Sequence, residues 1–253
     1  MKTALTIAGF DPSGGAGLQA DLKVFQSFGV YGLSVVSAVT AQNSKGVRAV
    51  MPVPAAFVKK QLTVLLSDIR PDAIKTGMLY SRENVEVLVS IIKKYDLKNI
   101  VIDPVLISST GKMLAEKEMQ TAMREKLLPV CTVITPNIHE AEVLSGVAIK
   151  TISDMKKAAV ILKNLGAEYV IITGGHLEKT ALDIIYNGSF HLLKDMKLEG
   201  EYHGTGCRFS SAITAMLSQG VDLVKAAKRA KAFMRNSFRK TFGPGSGMKL
   251  FSV

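Results

Sequence analysis

The residues Met1-Lys2-Thr3-Ala4-Leu5-Thr6-Ile7-Ala8-Gly9-Phe10-Asp11-Pro12-Ser13-Gly14-Gly15-Ala16-Gly17-Leu18-Gln19-Ala20-Asp21 join an apolar run to a glycine cluster and then to an amphipathic segment. Residues 4–8 read as a buried strand, and residues 15–28 read as a helix. The glycines and Pro12 between them read as a loop. The same theme recurs down the chain. Strands are expected at 33–39, 73–76, 99–103, 132–135 and 169–173. Helical patterns fall at 55–66, 82–95, 116–128 and 154–165, with Ser81 and Ser153 placed as N-caps for two of them. This alternation predicts an α/β fold with a mostly parallel central sheet flanked by helices on both faces.

One piece breaks the alternation. Residues 181–186 and 189–193 flank Asn187-Gly188, a pair suited to a type I′ turn, so an antiparallel hairpin is expected late in the chain. Two helices follow, at 205–219 and 223–241, and then a Gly/Pro-rich loop at 243–247. Neither a repeat nor a shift in composition marks a boundary, so residues 1–253 are expected to form one domain.

With 253 residues, 47% of them hydrophobic, the chain can bury a large core. No apolar run nears the roughly 18 residues of a membrane span, and the opening strand lacks a signal-peptide pattern. A cytoplasmic protein with no membrane partner is expected. Cys131 and Cys207 are too few for a disulfide scaffold, and Cys131 reads as inert core. The net charge of +11 suits an anionic ligand or a nucleic acid. Much of it lies in a helical stripe, Lys225, Lys228, Lys231, Arg235 and Arg239, opposite Ala226, Ala230, Phe233, Met234 and Ser237. That reads as a solvated face. No aromatic residues interleave with it as a base-stacking platform needs, so no nucleic acid is expected.

Several segments carry candidate chemistry. Gly15 to Ala20 formally matches the dinucleotide fingerprint G-x-G-x-x-G/A. The strand ends too early for that turn, however, and no Asp or Glu lies between Asp21 and Asp68 to hold a ribose. A loop of small residues lying close to a ligand ring is the better reading. His203-Gly204-Thr205-Gly206-Cys207 opens a strong helical pattern. Unpaired amides and the positive end of the helix dipole make such a start an anion site. The same field is expected to lower the thiol pKa of Cys207, so that a thiolate could take a proton from a substrate hydroxyl. An ordinary glycine-capped helix start with a buried Cys remains open.

Thr135-Pro136-Asn137-Ile138-His139-Glu140 follows a strand, at the sheet edge where α/β proteins bind ligands. Asn137 and Glu140 could orient a hydrated Mg²⁺, although Asn137 as a plain N-cap is the simpler reading. Thr173-Gly174-Gly175-His176 also follows a strand and suits close phosphate approach or a bare turn. Asp103 ends another strand and could serve a metal or cap a helix. A Walker A motif is absent: Gly111-Lys112 is followed by Met113.

Together, Ala8 to Asp21, Thr40-Ala41-Gln42-Asn43, Lys75-Thr76-Gly77-Met78, Asp103-Pro104-Val105, Thr135-Pro136-Asn137, Thr173-Gly174-Gly175-His176 and His203 to Cys207 are jointly specific and in order across nearly the whole chain. They resemble the hydroxymethylpyrimidine/phosphomethylpyrimidine kinases of thiamine biosynthesis, in the ribokinase-like superfamily. The resemblance implies phosphoryl transfer from MgATP to 4-amino-5-hydroxymethyl-2-methylpyrimidine and then to its monophosphate. It implies an anion hole at Gly204, Thr205, Gly206 and Cys207, with Cys207 as base. Gln42 would read the aminopyrimidine edge, and Ala16, Asp21, Thr40, Met78 and Val105 would complete the substrate pocket. Asn137, Thr173, Gly174, Gly175, Gly204 and Gly206 would hold ATP, with Asp103 and Glu140 serving the metal. A homodimer is implied as well. Phe10, Thr173 and Arg208 depart from the residues usual in the family, which are Ser or Thr, Lys and Thr; the Arg208 cation could compensate for the second. Pyridoxal kinases share the Gly-x-Gly-Cys ending and supply the alternative substrate. A Cys-nucleophile hydrolase, a reading from a different class, would need a histidine such as His203 paired with Cys207.

Overall fold

A computed structural model describes residues 1–107, 117–174, 181–195 and 200–252. The chain runs β1 (Thr3–Phe10), α1 (Gly17–Ser27), β2 (Tyr31–Asn43), β3 (Gly46–Pro52), α2 (Ala55–Leu66), β4 (Ala73–Thr76), α3 (Arg82–Tyr95), β5 (Ile100–Ile102) and α4 (Lys117–Ala122). It continues through β6 (Val133–Ile134), α5 (Ile138–Ser145), α6 (Ile152–Asn164), β7 (Tyr169–Ile172), β8 (Ala181–Tyr186), β9 (Phe190–Asp195), α7 (Thr205–Ser218), α8 (Leu223–Phe238), β10 (Thr241–Phe242) and β11 (Leu250–Phe251).

Strands β1 to β9 form one sheet in the order β3-β2-β1-β4-β5-β6-β7-β8-β9. The six strands β2, β1, β4, β5, β6 and β7 run parallel, while β3, β8 and β9 pair antiparallel at the two edges. The expected α/β architecture is therefore present. The chain winds outward one way from β1 to β2 and the other way from β1 to β4. Loops at the carboxyl ends of β1 and β4 thus part, leaving the crevice where open α/β sheets bind ligands.

Strand alternation sorts the core into two layers. Leu5, Ile7, Ile74, Ile100 and Ile102 face α2, α3, α5 and α6, in a large apolar cluster with Leu62, Leu88 and Leu162. Ala73, Val101, Val133 and Ile171 face the other way, toward Phe209, Ile213, Ala226 and Ala230 of α7 and α8. Each fully buried Leu or Ile contributes about 1.5–3 kcal/mol, which outweighs weak local propensities. By the same alternation Thr6, Lys75 and Asp103 fall on the α7 side, and Thr6 is the register partner of Lys75. A polar row therefore interrupts an otherwise apolar face at the carboxyl ends of three neighbouring strands.

Several local expectations change. Ser81 caps α3 as expected, its side chain accepting from the Asn84 amide. Ser153 does not cap α6: Thr151 does, with Asp154 closing a capping box. The hairpin between β8 and β9 is present, but residues 187–189 form its loop, since Tyr186 pairs with Phe190. Gly188 has a positive φ and Asn187 does not, so the turn is not type I′. The helix expected at 116–128 is α4, followed by a π-turn at Met123–Leu127 and a 3-10 turn at Leu128–Val130; residue 116 lies outside the described residues. Lys231 does not lie on a freely solvated face: its ammonium reaches the Asp183 carboxylate at 2.6 Å, with side-chain exposure of only 14%.

Candidate active site

Strand β1 ends at Phe10 and α1 begins at Gly17, so residues 11–16 form an open loop rather than a tight dinucleotide turn. Asp11 organises it. Its carboxylate accepts from the Ser13 amide at 2.8 Å, the Ser13 hydroxyl at 2.8 Å and the Ala16 amide at 2.8 Å. Burial alone would raise the Asp11 pKa, but the hydrogen bonds from His203, Ser13 and Ala16 outweigh it and hold the carboxyl below its usual range. Ala16 is the N-cap of α1, and no side chain caps that helix.

Helix α7 starts at the other side of this loop. Its N-cap, Gly204, has φ +82° and again no side-chain cap. A Cβ there would overlap the Gly15 carbonyl, so only glycine lets the two loops touch. The first intrahelical bond is from the Arg208 amide to the Gly204 carbonyl at 3.0 Å. The amides of Thr205, Gly206 and Cys207 precede it, and Gly206 is exposed. A Cβ on Gly206 would meet nothing nearer than an Asp103 carboxylate oxygen at 3.9 Å, so the space above this helix start is open.

The Gly17 amide, at the uncapped start of α1, acts to favour the thiolate of Cys207, which itself stands in the first turn of the uncapped α7. The expected lowering of its pKa is not found. Burial pushes the thiol up to about 12; Lys75 lowers it, while Asp103 and Asp21 raise it. The helix field and one ammonium do not offset the loss of water and two nearby carboxylates.

Beneath Cys207 lies the polar row. The Lys75 ammonium sits 3.1 Å from Asp21 and 3.5 Å from Asp103, with its side chain 0% exposed. Burial acts to lower its pKa, but Asp21, Asp103 and Cys207 outweigh that, so it stays charged. Asp21 also accepts from Thr6 and Ser211, each at 2.6 Å. Asp21 was expected to line the substrate pocket. It lies instead under the pocket floor, 0% exposed and engaged by protein groups alone. The Ser210 hydroxyl is 3.0 Å from Asp103. Burial raises the Asp103 pKa against the pull of Lys75.

Thr40 and Gln42 stand near the end of β2. The Thr40 hydroxyl donates to the Phe10 carbonyl at 2.9 Å, and the Gln42 amide lies 2.7 Å from His203 Nε2. Met78 is buried and Val105 half-buried near the ends of β4 and β5. Both Gln42 and Val105 keep part of their surface exposed, as a pocket wall requires.

Beyond β6, Asn137 and Glu140 form a capping box at the start of α5, so the simpler reading of Asn137 is the observed one. Burial first, then the charge of Asp103, push Glu140 up to about 8. Among the described residues no cluster of three or more His, Cys, Asp or Glu could cage a metal. The repulsion from Asp103 that helps to raise Glu140 is of the kind a nearby cation would relieve. Thr173 bridges to Asn137. Gly174 is buried, and a Cβ there would overlap the Leu182 carbonyl, so packing against β8 requires a glycine here. Gly175 and His176 lie outside the described residues.

Arg208 does not compensate for a missing phosphate contact. Its guanidinium, 3% exposed, lies between the rings of Phe251 at 5.0 Å and Phe233 at 5.7 Å, and donates to the Ser252 carbonyl. His203 faces Asp11 and Gln42 through Nε2, and the thiol is raised, so the arrangement a Cys-nucleophile hydrolase needs is not formed.

The site contains groups to which sequence reasoning assigned no role: Lys75, Asp11, Thr6, Ser210, Ser211 and the Gly17 amide. A signal for Lys75 was available. A lysine inside a short apolar strand of a parallel sheet must find buried carboxylates.

A family profile described as phosphomethylpyrimidine kinase matches residues 11–251. The chain is 40% identical to a hydroxymethylpyrimidine/phosphomethylpyrimidine kinase of Bacillus subtilis over 252 residues, covering 96% of this chain and 92% of that one. It is 41% identical to a pyridoxine kinase of the same organism, again covering 96% and 92%. Its fold superposes on an ADP complex of a Bacillus subtilis pyridoxal kinase with a TM-score of 0.91 at 40% identity, covering 100% of this chain and 97% of that one.

Proposed function

The chain belongs to the phosphomethylpyrimidine kinase family and is a phosphotransferase, and from that premise we propose that it carries the γ-phosphoryl group of ATP to 4-amino-5-hydroxymethyl-2-methylpyrimidine and then to its monophosphate. The observation that carries this reading is the uncapped start of α7, where the amides of Thr205, Gly206 and Cys207 precede the first helical bond and the space at Gly206 is open. Phosphoryl transfer through a loose transition state asks for positioning and charge neutralisation more than covalent work. Donors of this kind supply about 3–4 kcal/mol each when aimed at the developing charge.

In this reading the pyrimidine lies between the 11–16 loop and the ends of β2, β4 and β5. Gln42 offers a donor and an acceptor to its amino and ring-nitrogen edge. Ala16, Thr40, Met78 and Val105 form the walls. The hydroxymethyl oxygen attacks phosphorus as the bond to the ADP oxygen breaks, and its proton leaves toward Cys207. Burial keeps Cys207 a thiol in the free protein, so it becomes a base only after giving its own proton to solvent. Lys75 and the two helix starts favour that loss. Mg²⁺ would enter with the nucleotide and neutralise phosphate charge, with Asp103 and Glu140 as its nearest acidic side chains. Asn137 and Thr173 would border the nucleotide. We place the enzyme in the cytoplasm as a homodimer, in keeping with the family resemblance; among the described residues no helix is long and apolar enough to cross a membrane.

A second reading, pyridoxal or pyridoxine phosphorylation, is favoured by the similarity to the Bacillus subtilis pyridoxine kinase. One experiment separates the two: ADP release from MgATP with the hydroxymethylpyrimidine, its monophosphate and pyridoxal, side by side. Turnover of both pyrimidines at a kcat/KM well above that of pyridoxal is expected. Turnover of pyridoxal alone would reverse the assignment.

A further inference from the structure

The 11–16 loop, the end of β2 and the approach to α7 meet at one imidazole. His203, 3% exposed, places Nε2 2.8 Å from Asp11 Oδ2 and 2.7 Å from the Gln42 amide. Its ring packs against Gly15, where a Cβ would lie 2.5 Å from Cδ2. Its own amide donates to the Lys249 carbonyl at 3.0 Å, which anchors the backbone behind the ring.

This geometry decides where hydrogens lie. Asp11 already accepts from two amides and a hydroxyl, so it is an ionised acceptor. A ring facing it at 2.8 Å must carry a hydrogen on Nε2, because a lone pair there would repel the carboxylate. The Gln42 nitrogen stands 2.7 Å from this Nε2, and two donors cannot face each other, so the amide is turned over and its oxygen takes that place, sharing the hydrogen with Asp11. The Gln42 nitrogen then faces the Thr40 hydroxyl, 3.3 Å away, which donates to Phe10 and is free to accept. Each hydrogen shared along the chain Asp11, His203, Gln42, Thr40 and Phe10 then lies between a donor and an acceptor. The opposite amide direction sets the Gln42 nitrogen against the Nε2 hydrogen.

We propose that Asp11 and His203 are specificity-determining positioning residues, which act through Gln42 by fixing the direction of its amide. The inference rests on the kinase reading above. The direction matters because the pyrimidine cannot be turned over freely. Its hydroxymethyl group must face Cys207, and its 4-amino donor stands on the neighbouring carbon, with the N3 acceptor next beyond. One amide direction pairs with donor and acceptor in that order, and the reverse direction opposes both. Pyridoxal offers a phenolic oxygen and a carbonyl instead, so it does not need this order. A site built around hydrogen bonds loses far more with a mismatched edge than one built on apolar contact.

Two measurements test this on the full chain. Long-range ¹H–¹⁵N correlation spectra of the imidazoles should show His203 as the Nε2–H form at pH 7.5; an Nδ1–H form would overturn the proposal whether or not any variant folds. Steady-state kinetics then compare the hydroxymethylpyrimidine with pyridoxal for wild type, His203→Ala and His203→Gln. For His203→Ala the kcat/KM ratio of pyrimidine to pyridoxal should fall about tenfold or more, mainly through the pyrimidine KM. His203→Gln, which can still present an N–H near the same place, should restore the ratio to within about threefold of wild type. Equal loss on both substrates, or an unchanged ratio, would reduce His203 to a structural residue. The wild-type ratio tests the kinase reading separately, since it is measured without any substitution.

Discussion

Lys75 reaches Asp21 across 3.1 Å, with neither side chain exposed, and this buried cation also acts on the Cys207 thiol. Asp103 lies 3.5 Å away on its other side. Removing the ammonium would leave two buried carboxylates uncompensated. Lys75→Met should cost about 3–5 kcal/mol in urea unfolding. Lys75→Met with Asp21→Asn should recover part of that loss, and purely additive losses would show that the pair is not coupled.

The two glycines that bracket the α7 start should respond oppositely. Gly204 has a positive φ and no room for a Cβ, so Gly204→Ala should destabilise the fold and separate the 11–16 loop from the helix start. Gly206 is a helical residue with open space above it, so Gly206→Ala should leave thermal stability within about 1 kcal/mol. The new methyl should nevertheless obstruct the phosphoryl group and lower kcat. Calorimetry with steady-state assays checks both, and equal stability losses would contradict the assigned geometry.

Cys207 offers a pH test. With its pKa raised toward 12, its thiolate is on the order of a thousandfold scarcer near neutrality than that of an ordinary thiol of pKa about 8.5. Alkylation of Cys207 in the free protein, read by peptide mass, should be slow at pH 7.5 and rise with each pH unit to at least pH 9. A thiolate base also requires kcat to rise with pH across that range. Cys207→Ala should lower kcat about 10²–10⁴-fold while nucleotide binding survives. Fast alkylation at pH 7 would contradict the dominance of burial.

Asp11 should show in acid. Its folded pKa lies below the ordinary value, so its contribution is full above about pH 4 and is lost as pH falls through the folded value. Asp11→Asn should lower the Tm at pH 7, and the gap from wild type should shrink toward pH 2. A gap constant with pH would assign the loss to loop packing rather than charge.

The frame of this molecule was readable because strong local signals agreed with the tertiary result. Apolar runs at β4 and β7, the glycine cluster at 14–17 and the Ser81 cap each act within a few residues. Strand β3 was not readable, because a short edge strand with Arg48 and Ala49 exposed shows no buried alternation. Thr151 won the α6 cap from Ser153 because only Thr151 has an acid at the third helical position. At the site, Cys207 and Gly204 were legible through their motif, whereas the thiol's pKa was not. That depends first on burial and then on Lys75, Asp103 and Asp21, which three different elements bring together.

The central claim is that the open amides of Thr205, Gly206 and Cys207 receive the migrating phosphoryl group. A crystal structure with a non-hydrolysable ATP analogue, Mg²⁺ and the hydroxymethylpyrimidine reads it directly. The γ-phosphate oxygens should lie about 2.8–3.1 Å from those amide nitrogens, with the hydroxymethyl oxygen in line behind phosphorus. A triphosphate directed elsewhere, or side chains packed over Gly206, would contradict the account.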